Sequence, residues 1–418
     1  TTPLVEGLVN EGAYKVLAAA NQLQSQGHNV ARFEIGQPDF ATPPHVAAAG
    51  ITAIQAGKTT YCASAGLPTL RQAIADFTCQ TRGVPKGTFT ADHVVVGPGA
   101  KPGMWFAMQA LIRPGDKVLV PDPGFPSYAN TVKAFGGHVV PYNAMHKGVL
   151  DMQEIEKLLK LPSVKMIILN SPSNPTGSVV ADSSLAKLAQ LLQQNPAVWV
   201  VSDEIYSQLV YGDAPGERGV PPSLCRYAAV RDRLVVVDGF SKTYSMTGWR
   251  LGWVLSANAE LVEKVTLLVI HALGCTSYFV QEAGVAALTG TGNGEAQAML
   301  AEYHKRRDYV VTRLNKMPFV QCALPEGAFY AFPNVAGVLK ASGGAVSTAA
   351  ELASLALQEG YVAVLAGTEF GANGAGYLRI SYVCSIDELA AGLDRLERVV
   401  ERVVAKGNGT RQRKAGKL

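Results

Sequence analysis

The sequence predicts an α/β fold, with a three-layer large domain built around a mostly parallel sheet and a smaller α+β domain. Three observations lead to this prediction. The chain has 418 residues, 48% of them hydrophobic, which is more than one ordinary core needs. Short apolar runs of strand length alternate with stretches of helical spacing, as in βαβ units. After a long helical section, the pattern changes to separate short strands and a closing helix.

The N-terminal region begins with helical spacing at residues 13–27, which ends at Gly27. Residues 30–35 then have the apolar pattern of a short strand. The turn-rich sequence GQPDFATPP at 36–44 interrupts the regular elements, and residues 46–56 return to helical spacing. This region therefore predicts a helix, a short strand and a second helix.

The large sheet is predicted from seven apolar runs. They lie at 93–96, 117–120, 138–141, 164–169, 198–202, 233–237 and 251–255. Because ligands of mostly parallel sheets bind at the carboxyl ends of the strands, polar residues that directly follow these runs are candidates for a site.

The C-terminal part begins with a long helical section at about 258–316, which is expected to connect two domains. Residues 328–332, 362–365 and 377–383 have strand patterns, and 386–404 form the closing helix. We expect a small domain built from both termini, namely an N-terminal segment at 1–45 and the C-terminal residues 301–405. Residues 46–300 form the large, cofactor-binding domain.

Composition excludes several classes of protein. The six cysteines are scattered, with no CxxC pair and no metal-type spacing, so a reducing compartment and no metal site are expected. No apolar run approaches the ~20 residues of a membrane span. The expected location is cytoplasmic; the terminal Gly-Lys-Leu only loosely resembles the peroxisomal Ser-Lys-Leu signal, the weaker alternative.

The net charge of +4 arises in a basic tail, residues 406–418, which contains five cations and no acid. This tail has no aromatic residues that could stack on bases. We therefore expect a solvated, disordered end and no binding to nucleic acid.

The run GFSKTYSMTGWR at residues 239–250 suggests the chemistry of the site. Lys242 can form an imine with an aldehyde cofactor. Ser241 supplies a hydroxyl donor and Arg250 a permanent cation for a phosphate group. One short segment therefore suggests both an aldehyde and its phosphate.

Several other segments follow predicted strands, and each has a simpler alternative. The turn GPGAKPG at 97–103 could hold a phosphate at a helix N-terminus or be a plain tight turn. Asp203 could stay ionised beside a protonated pyridine nitrogen, with Tyr206 near the ring's 3′ oxygen, or Asp203 could cap a helix. Asn174 could donate to the same oxygen or belong to an Asx-Pro turn.

Three further side chains have similar alternatives. Arg379 lies in a predicted strand, where it could bind a carboxylate or simply be exposed. Phe125 could stack on an aromatic cofactor or fill a core. Tyr61 could donate its phenol to a phosphate, or serve packing. Because these residue types recur together at strand ends, the functional alternatives gain weight jointly.

Together these segments resemble the fold-type I, pyridoxal-phosphate-dependent aminotransferases of class I/II, in particular the bacterial-type aspartate aminotransferase branch. The sequences NPTG, SDEIY and SKTYSMTGWR occur in the family's order, and the resemblance covers almost the whole chain. It implies pyridoxal 5′-phosphate covalently bound to Lys242 and a pyridine-nitrogen partner at Asp203. The remaining cofactor contacts that it implies are Tyr206 and Asn174 at the 3′ oxygen, Phe125 on the ring, and Ala100, Lys101, Ser241 and Arg250 at the phosphate.

The resemblance also implies how the substrate and a second subunit are bound. Arg379 matches the residue that binds the substrate α-carboxylate, with Gly36 and Asn174 beside it. Lys101 matches a side chain that this branch uses for a distal carboxylate. Tyr61 matches a tyrosine that reaches the phosphate of the neighbouring subunit, which implies a homodimer.

Two positions depart from the family pattern. Phe125 replaces the Trp of many members and lacks an indole N–H, and Gly239 stands where some relatives carry a Ser.

The expected function is transfer of an amino group between an L-amino acid and a 2-oxo acid by a ping-pong mechanism. Aspartate or glutamate with 2-oxoglutarate are the candidate substrates. Two alternatives remain at this point: a pyridoxal-phosphate-dependent cysteine-conjugate β-lyase, and a cofactor-binding homologue without turnover.

Overall fold

A computed structural model of the chain describes residues 3–145, 148–212, 221–290 and 293–415. The helices are α1 (Pro3–Glu6), α2 (Gly12–Ser25), α3 (Pro44–Gln55), α4 (Pro68–Thr81), α5 (Ala100–Leu111), α6 (Pro126–Ala134), α7 (Met152–Leu159), α8 (Asp182–Gln194), α9 (Ala259–Leu273), α10 (Tyr278–Thr289), α11 (Asn293–Lys316), α12 (Ala336–Ala341), α13 (Ala349–Gly360) and α14 (Ile386–Ala415). The strands are β1 (Ala31–Arg32), β2 (Val94–Gly97), β3 (Lys117–Asp122), β4 (His138–Asn143), β5 (Val164–Asn170), β6 (Trp199–Asp203), β7 (Leu234–Gly239), β8 (Gly252–Leu255), β9 (Tyr330–Ala331), β10 (Val362–Ala363), β11 (Leu365–Ala366) and β12 (Leu378–Ser381).

The large sheet has the strand order β2-β8-β7-β6-β5-β3-β4. Strands β3 to β7 pair in parallel, and β8 runs antiparallel to both of its neighbours. The mostly parallel sheet predicted from the apolar runs is therefore confirmed. Each of the seven runs became a strand, with ends shifted by at most two residues.

Apolar cores cover both faces of this sheet. Along β2, Val94 and Val96 contribute to one core and Val95 to the other, because successive strand side chains point to opposite faces. Helices α5 and α9 supply the core on the Val95 face, and α4, α8 and α10 supply the opposite one. This arrangement gives the predicted three layers.

The long helical section near 258–316 is three helices. Gly274 ends α9 with a φ of 76°, a conformation that suits glycine. Helices α10 and α11 follow. The predicted boundary at residue 300 falls within α11, so the division into domains stays a prediction.

The N-terminal segment joins the C-terminal part of the chain. Strand β1 pairs in parallel with β10. Phe33 is buried in a separate core with Leu389 and Leu393 from α14. A small antiparallel sheet of order β11-β12-β9 belongs to the same region and carries Arg379 on β12.

Helix α14 continues to Ala415, and the expectation of a disordered tail at 406–418 stays a prediction. Residues added to an existing helix need no new nucleus, and basic residues interact favourably with a helix C-terminus. The terminal Gly-Lys-Leu at 416–418 lies outside the described residues. Within the described part of the chain, none of the helices has the length and apolar character to cross a membrane.

Candidate active site

A cavity of about 670 Å³ lies at the carboxyl ends of β3, β5, β6 and β7 and at the N-terminus of α5. It gathers residues from the large sheet, from the small sheet and from the N-terminal segment. The predicted site residues that line it are Gly36, Ala100, Lys101, Phe125, Asn174, Asp203, Tyr206, Ser241, Lys242, Arg250 and Arg379. Only Tyr61 of the predicted set lies elsewhere.

Lys242 follows β7 and extends its amine into the cavity. Its Nζ donates to the backbone oxygen of Gly36 at 2.6 Å. Burial lowers the pKa of Lys242 to about 8, three nearby cations add to the shift, and Asp203 opposes it. A lower pKa makes the neutral amine, which is the nucleophile and the base, accessible near physiological pH.

Asp203 ends β6 and is held by a residue that the sequence analysis did not identify. The hydroxyl of Tyr128 donates to Asp203 Oδ2 at 2.7 Å. Burial raises the pKa of Asp203 to about 6, and the hydrogen bonds from Tyr128 and the Ile205 backbone oppose this shift. The residues after β6 form turns and no helix, so the helix-cap alternative for Asp203 is wrong.

The turn between β2 and α5 leaves little space for side chains. Gly99 has a φ of 109°, and a Cβ there would lie 2.6 Å from a guanidinium nitrogen of Arg250. That guanidinium donates to the backbone oxygens of Pro98, at 3.1 Å, and Thr247, at 2.9 Å. Ala100 begins α5, so the first backbone N–H groups of this helix and a fixed cation lie together, an arrangement that stabilises a phosphate.

Arg379 lies at the opposite side of the cavity and is only 4% exposed. Its guanidinium donates to Asn174 Oδ1 at 3.2 Å and to the backbone oxygen of Glu34. The Nε atom of Arg379 is buried without a hydrogen-bond partner among the described residues. The alternative of an exposed strand arginine is therefore wrong, and one donor remains for a ligand.

Tyr206 and Phe125 lie on the walls of the cavity. The hydroxyls of Tyr206 and Tyr330 are 2.7 Å apart. A hydrogen bond to Tyr330 therefore fixes the Tyr206 hydroxyl, which was expected near the 3′ oxygen of the cofactor. Phe125 precedes α6 and contacts Tyr128 edge-on, with ring centres 5.6 Å apart. Lys101 Nζ lies 4.8 Å from the centre of the Phe125 ring.

Tyr61 does not reach the cavity of its own chain. Its side chain is 89% exposed, which rules out the packing alternative within one chain. Leu273 and Ile270 at the end of α9 are also exposed. The role of Tyr61 in a neighbouring subunit stays a prediction.

Three contacts at the site were missed by the sequence analysis. They are Tyr128 on Asp203, Tyr330 on Tyr206, and Glu11 on Lys101. Tyr128 follows Phe125 by one helical turn and could have been found from that spacing. No local sequence pattern around Tyr330 or Glu11 indicates that they contact Tyr206 and Lys101, which lie 124 and 90 positions away.

The residues in the cavity fit pyridoxal phosphate. A Cβ on Gly99 would collide with Arg250. The Arg250 guanidinium and the N-terminus of α5 lie beside this glycine, and both stabilise the negative charge of a phosphate. Asp203 provides a buried carboxylate for a pyridine nitrogen, and Lys242 provides an amine of lowered pKa. Within the described residues there is no group of three or more His, Cys, Asp or Glu that could hold a metal ion.

Comparisons with known proteins agree with this chemistry. The sequence profile of the family "Aminotransferase class I and II" matches residues 28–396. The aspartate aminotransferase of Pyrococcus horikoshii is 34% identical over 381 residues, which are 90% of this chain and 92% of the relative. A probable N-acetyl-LL-diaminopimelate aminotransferase of Bacillus subtilis is 35% identical over 404 residues, 95% of this chain and 96% of the relative.

Solved structures show the same fold. The aspartate aminotransferase of Rhizobium meliloti superposes with a TM-score of 0.87 at 31% identity, covering 96% of this chain and 99% of that one. An alanine aminotransferase from Pyrococcus furiosus superposes with a TM-score of 0.86 at 30% identity, covering 96% and 100%. Aminotransferases with different named substrates are thus similarly close to this chain.

Proposed function

Because this chain belongs to the aminotransferase class I and II family, it is a pyridoxal-phosphate-dependent amino acid aminotransferase, and we propose the roles of its residues in that reaction. The observation that carries the proposal is the placement of Lys242, Asp203 and Arg379 around one cavity. A base, a carboxylate for a pyridine nitrogen and a cation for a substrate carboxylate are the three groups that transamination needs.

The cofactor would be held at three places. The α5 N-terminus, Ser241 and Arg250 would bind its phosphate, and Phe125 would lie against its ring. Asp203, kept in place by Tyr128, would bind the protonated pyridine nitrogen, where an ionised partner would keep that nitrogen charged. When bound, pyridoxal phosphate supplies an aldehyde that condenses with amines and a ring that takes up negative charge from the substrate Cα.

Lys242 performs the proton transfer. With the cofactor in place, its neutral Nζ would act as the base that takes the proton from the substrate Cα and, once protonated, as the acid that returns it at C4′. Arg379 holds the substrate α-carboxylate through its unpaired Nε and the groups that now contact Asn174 and Glu34. This orientation directs the Cα–H bond towards Lys242, and the second half-reaction reverses the same steps with another 2-oxo acid.

Aspartate or glutamate with 2-oxoglutarate are the substrates that we propose. Support comes from Lys101, a cation in the cavity wall, and from several relatives named aspartate aminotransferase.

A homodimer that acts in the cytoplasm is the assembly that we propose. The exposed side chain of Tyr61 supports the homodimer. The free cysteines support the cytoplasm, which is a reducing compartment.

Replacing the proposed base tests the assignment. Lys242→Ala is expected to abolish covalent attachment of the cofactor and to lower transamination by about 100-fold or more, because the base is lost. The measurements are the visible absorbance of the purified holoenzyme, its change on borohydride reduction, and the rate with a panel of amino acids. Lys264→Ala, an exposed lysine on α9, is the matched control.

An unchanged spectrum in Lys242→Ala would contradict the proposed attachment. Release of ammonia and pyruvate from a cysteine conjugate, without any added 2-oxo acid, would indicate the β-lyase instead.

A further inference from the structure

An N-terminal strap, residues 7–13, lies along α6 at the mouth of the cavity. The backbone N–H of Val9 donates to Asn130 Oδ1, and Asn130 Nδ2 donates back to the Val9 oxygen, both at 3.1 Å. Two residues later, Glu11 Oε1 accepts from Ser127 Oγ at 2.8 Å. The strap is therefore fixed to α6 by two hydrogen bonds between the Val9 backbone and the Asn130 side chain, and by the Glu11 carboxylate.

The same carboxylate oxygen is bound to Lys101. Lys101 Nζ donates to Glu11 Oε1 at 2.6 Å, and the two residues both line the cavity. Arg379 is also within electrostatic reach: burial lowers its pKa, and the charge of Glu11 is among those that oppose the shift. Glu11 thus places a negative charge that acts both on Arg379, the cation for the α-carboxylate, and on Lys101, a second cation.

We propose that Glu11 is a specificity-determining residue, whose carboxylate occupies Lys101 in competition with the distal carboxylate of an acidic substrate. This inference rests on the proposed function and names how that site distinguishes its substrates. Neutral side chains bind with the Glu11–Lys101 pair intact. Dicarboxylates bind Lys101 only after Glu11 has moved.

The electrostatics favour this competition. Lys101 offers one charge, so a second carboxylate beside Glu11 experiences a like charge at close range in a partly desolvated cavity. Exchange is feasible because the pair lies at the cavity mouth, where the side chain of Lys101 is 44% exposed and that of Glu11 is 19% exposed. Neutral substrates avoid this cost. Ala13 and Tyr14, which follow Glu11, also line the cavity.

The test compares L-glutamate with L-glutamine, which have almost the same shape and differ in the charge of the distal group. Glu11→Gln keeps the length of the side chain and an acceptor oxygen for Lys101 and Ser127, but removes the charge. The ratio of kcat/KM for glutamate to that for glutamine is expected to rise by about tenfold or more. Glu263→Gln on α9, which removes an exposed charge far from the cavity contacts, is the control and should leave the ratio within about twofold of wild type.

A double-mutant cycle shows whether Glu11 acts through Lys101. In a Lys101→Gln background, Glu11→Gln is expected to raise the ratio by a clearly smaller factor than in the wild type, because only direct repulsion by Glu11 then remains and the contested cation is absent. Glu11→Ala is a second charge-removing variant and should change the ratio in the same direction as Glu11→Gln.

Two outcomes overturn the inference. One is an unchanged or lower ratio in a Glu11→Gln holoenzyme that unfolds at the wild-type temperature; the other is an effect of full size in the Lys101→Gln background. Failure of the proposed function looks different, because the wild-type protein would then transaminate neither amino acid.

Discussion

At the scale of the residue, burial decides the protonation of the reacting groups. Lys242 is a lysine whose pKa falls to about 8, and Asp203 is an aspartate whose pKa rises to about 6, both chiefly because burial disfavours their charged forms. Neighbouring groups then change each pKa further. Cations lower the pKa of Lys242, and the hydrogen bond from Tyr128 stabilises ionised Asp203, which opposes the rise of its pKa. One cavity therefore contains an amine whose pKa lies close to neutral pH and a buried carboxylate that a cation would stabilise in its ionised form.

The pKa of Lys242 gives a pH prediction for the apoprotein. Only the neutral amine attacks an aldehyde, so covalent uptake of pyridoxal phosphate should accelerate about tenfold per pH unit and level off above about pH 8. Stopped-flow absorbance between about pH 6.5 and about pH 10 measures this rate. A rate that still climbs at the upper end would show an amine with the ordinary lysine pKa.

At the scale of the element, the β2–α5 turn creates the anion site. A helix N-terminus presents unpaired backbone N–H groups, and the glycine before it lets a ligand approach them. In this chain the approach depends on Gly99, because its positive φ and the nearby Arg250 exclude a side chain.

Substitution of Gly99 tests this element. Gly99→Ala is expected to weaken pyridoxal-phosphate binding about 10- to 100-fold, because the new Cβ displaces the Arg250 guanidinium and crowds the phosphate. It should also destabilise the fold by about 1–3 kcal/mol. The measurements are the cofactor dissociation constant and the free energy of unfolding.

Gly57→Ala is the matched control, since Gly57 also has a positive φ but open space around it. It should lower stability without changing cofactor affinity. Equal cofactor affinity in the two variants would argue against a phosphate at α5.

At the scale of the whole molecule, the site is assembled between two cores. Lys242 follows β7 of the large sheet and Arg379 lies on β12 of the small one, and the N-terminal segment contacts both, through the backbone oxygens of Gly36 and Glu34. On the outer side of Arg250 lies an open cleft of about 820 Å³, which Trp249 and Cys275 also line. In the proposed homodimer, the exposed Tyr61 of one subunit would meet the open cleft beside Arg250 of the other.

Hybrid dimers test this assembly. One subunit carries Tyr61→Ala and the other Lys242→Ala, and the hybrid is isolated with two affinity tags. If Tyr61 serves the neighbouring subunit, one site of the hybrid is intact. The lost Tyr61 contact is expected to weaken cofactor binding by about 10- to 100-fold. At a cofactor concentration that leaves the Tyr61→Ala homodimer mostly without cofactor, the hybrid should therefore have about half of the wild-type activity.

If Tyr61 acts within its own chain, both sites of the hybrid are defective. An inactive hybrid, or a chain that sediments as a monomer, is the result that rejects the shared site.

The sequence by itself indicated where the strands of the large sheet lie along the chain and which loops follow them. It also indicated the residues of the GFSKTYSMTGWR run. Apolar periodicity and turn residues act over a few neighbouring positions, so they can be recognised without the fold. Lys242, Asp203 and Asn174 were found in this way, as residues that follow predicted strands. The short strands of the small sheet were located less well, because two-residue strands carry little periodicity.

Only the tertiary structure decided which side chains meet. Tyr128 and Asp203 are 75 positions apart, Glu11 and Lys101 are 90, and Asn174 and Arg379 are 205. Such contacts arise from the packing of whole elements, and no local pattern encodes them. The same holds for the burial that shifts the pKa of Lys242 and Asp203, because burial depends on everything packed around a group. The sequence thus determined the kind of reaction, and the tertiary structure decided the burial that shifts the pKa of its groups and the carboxylate that contacts Lys101.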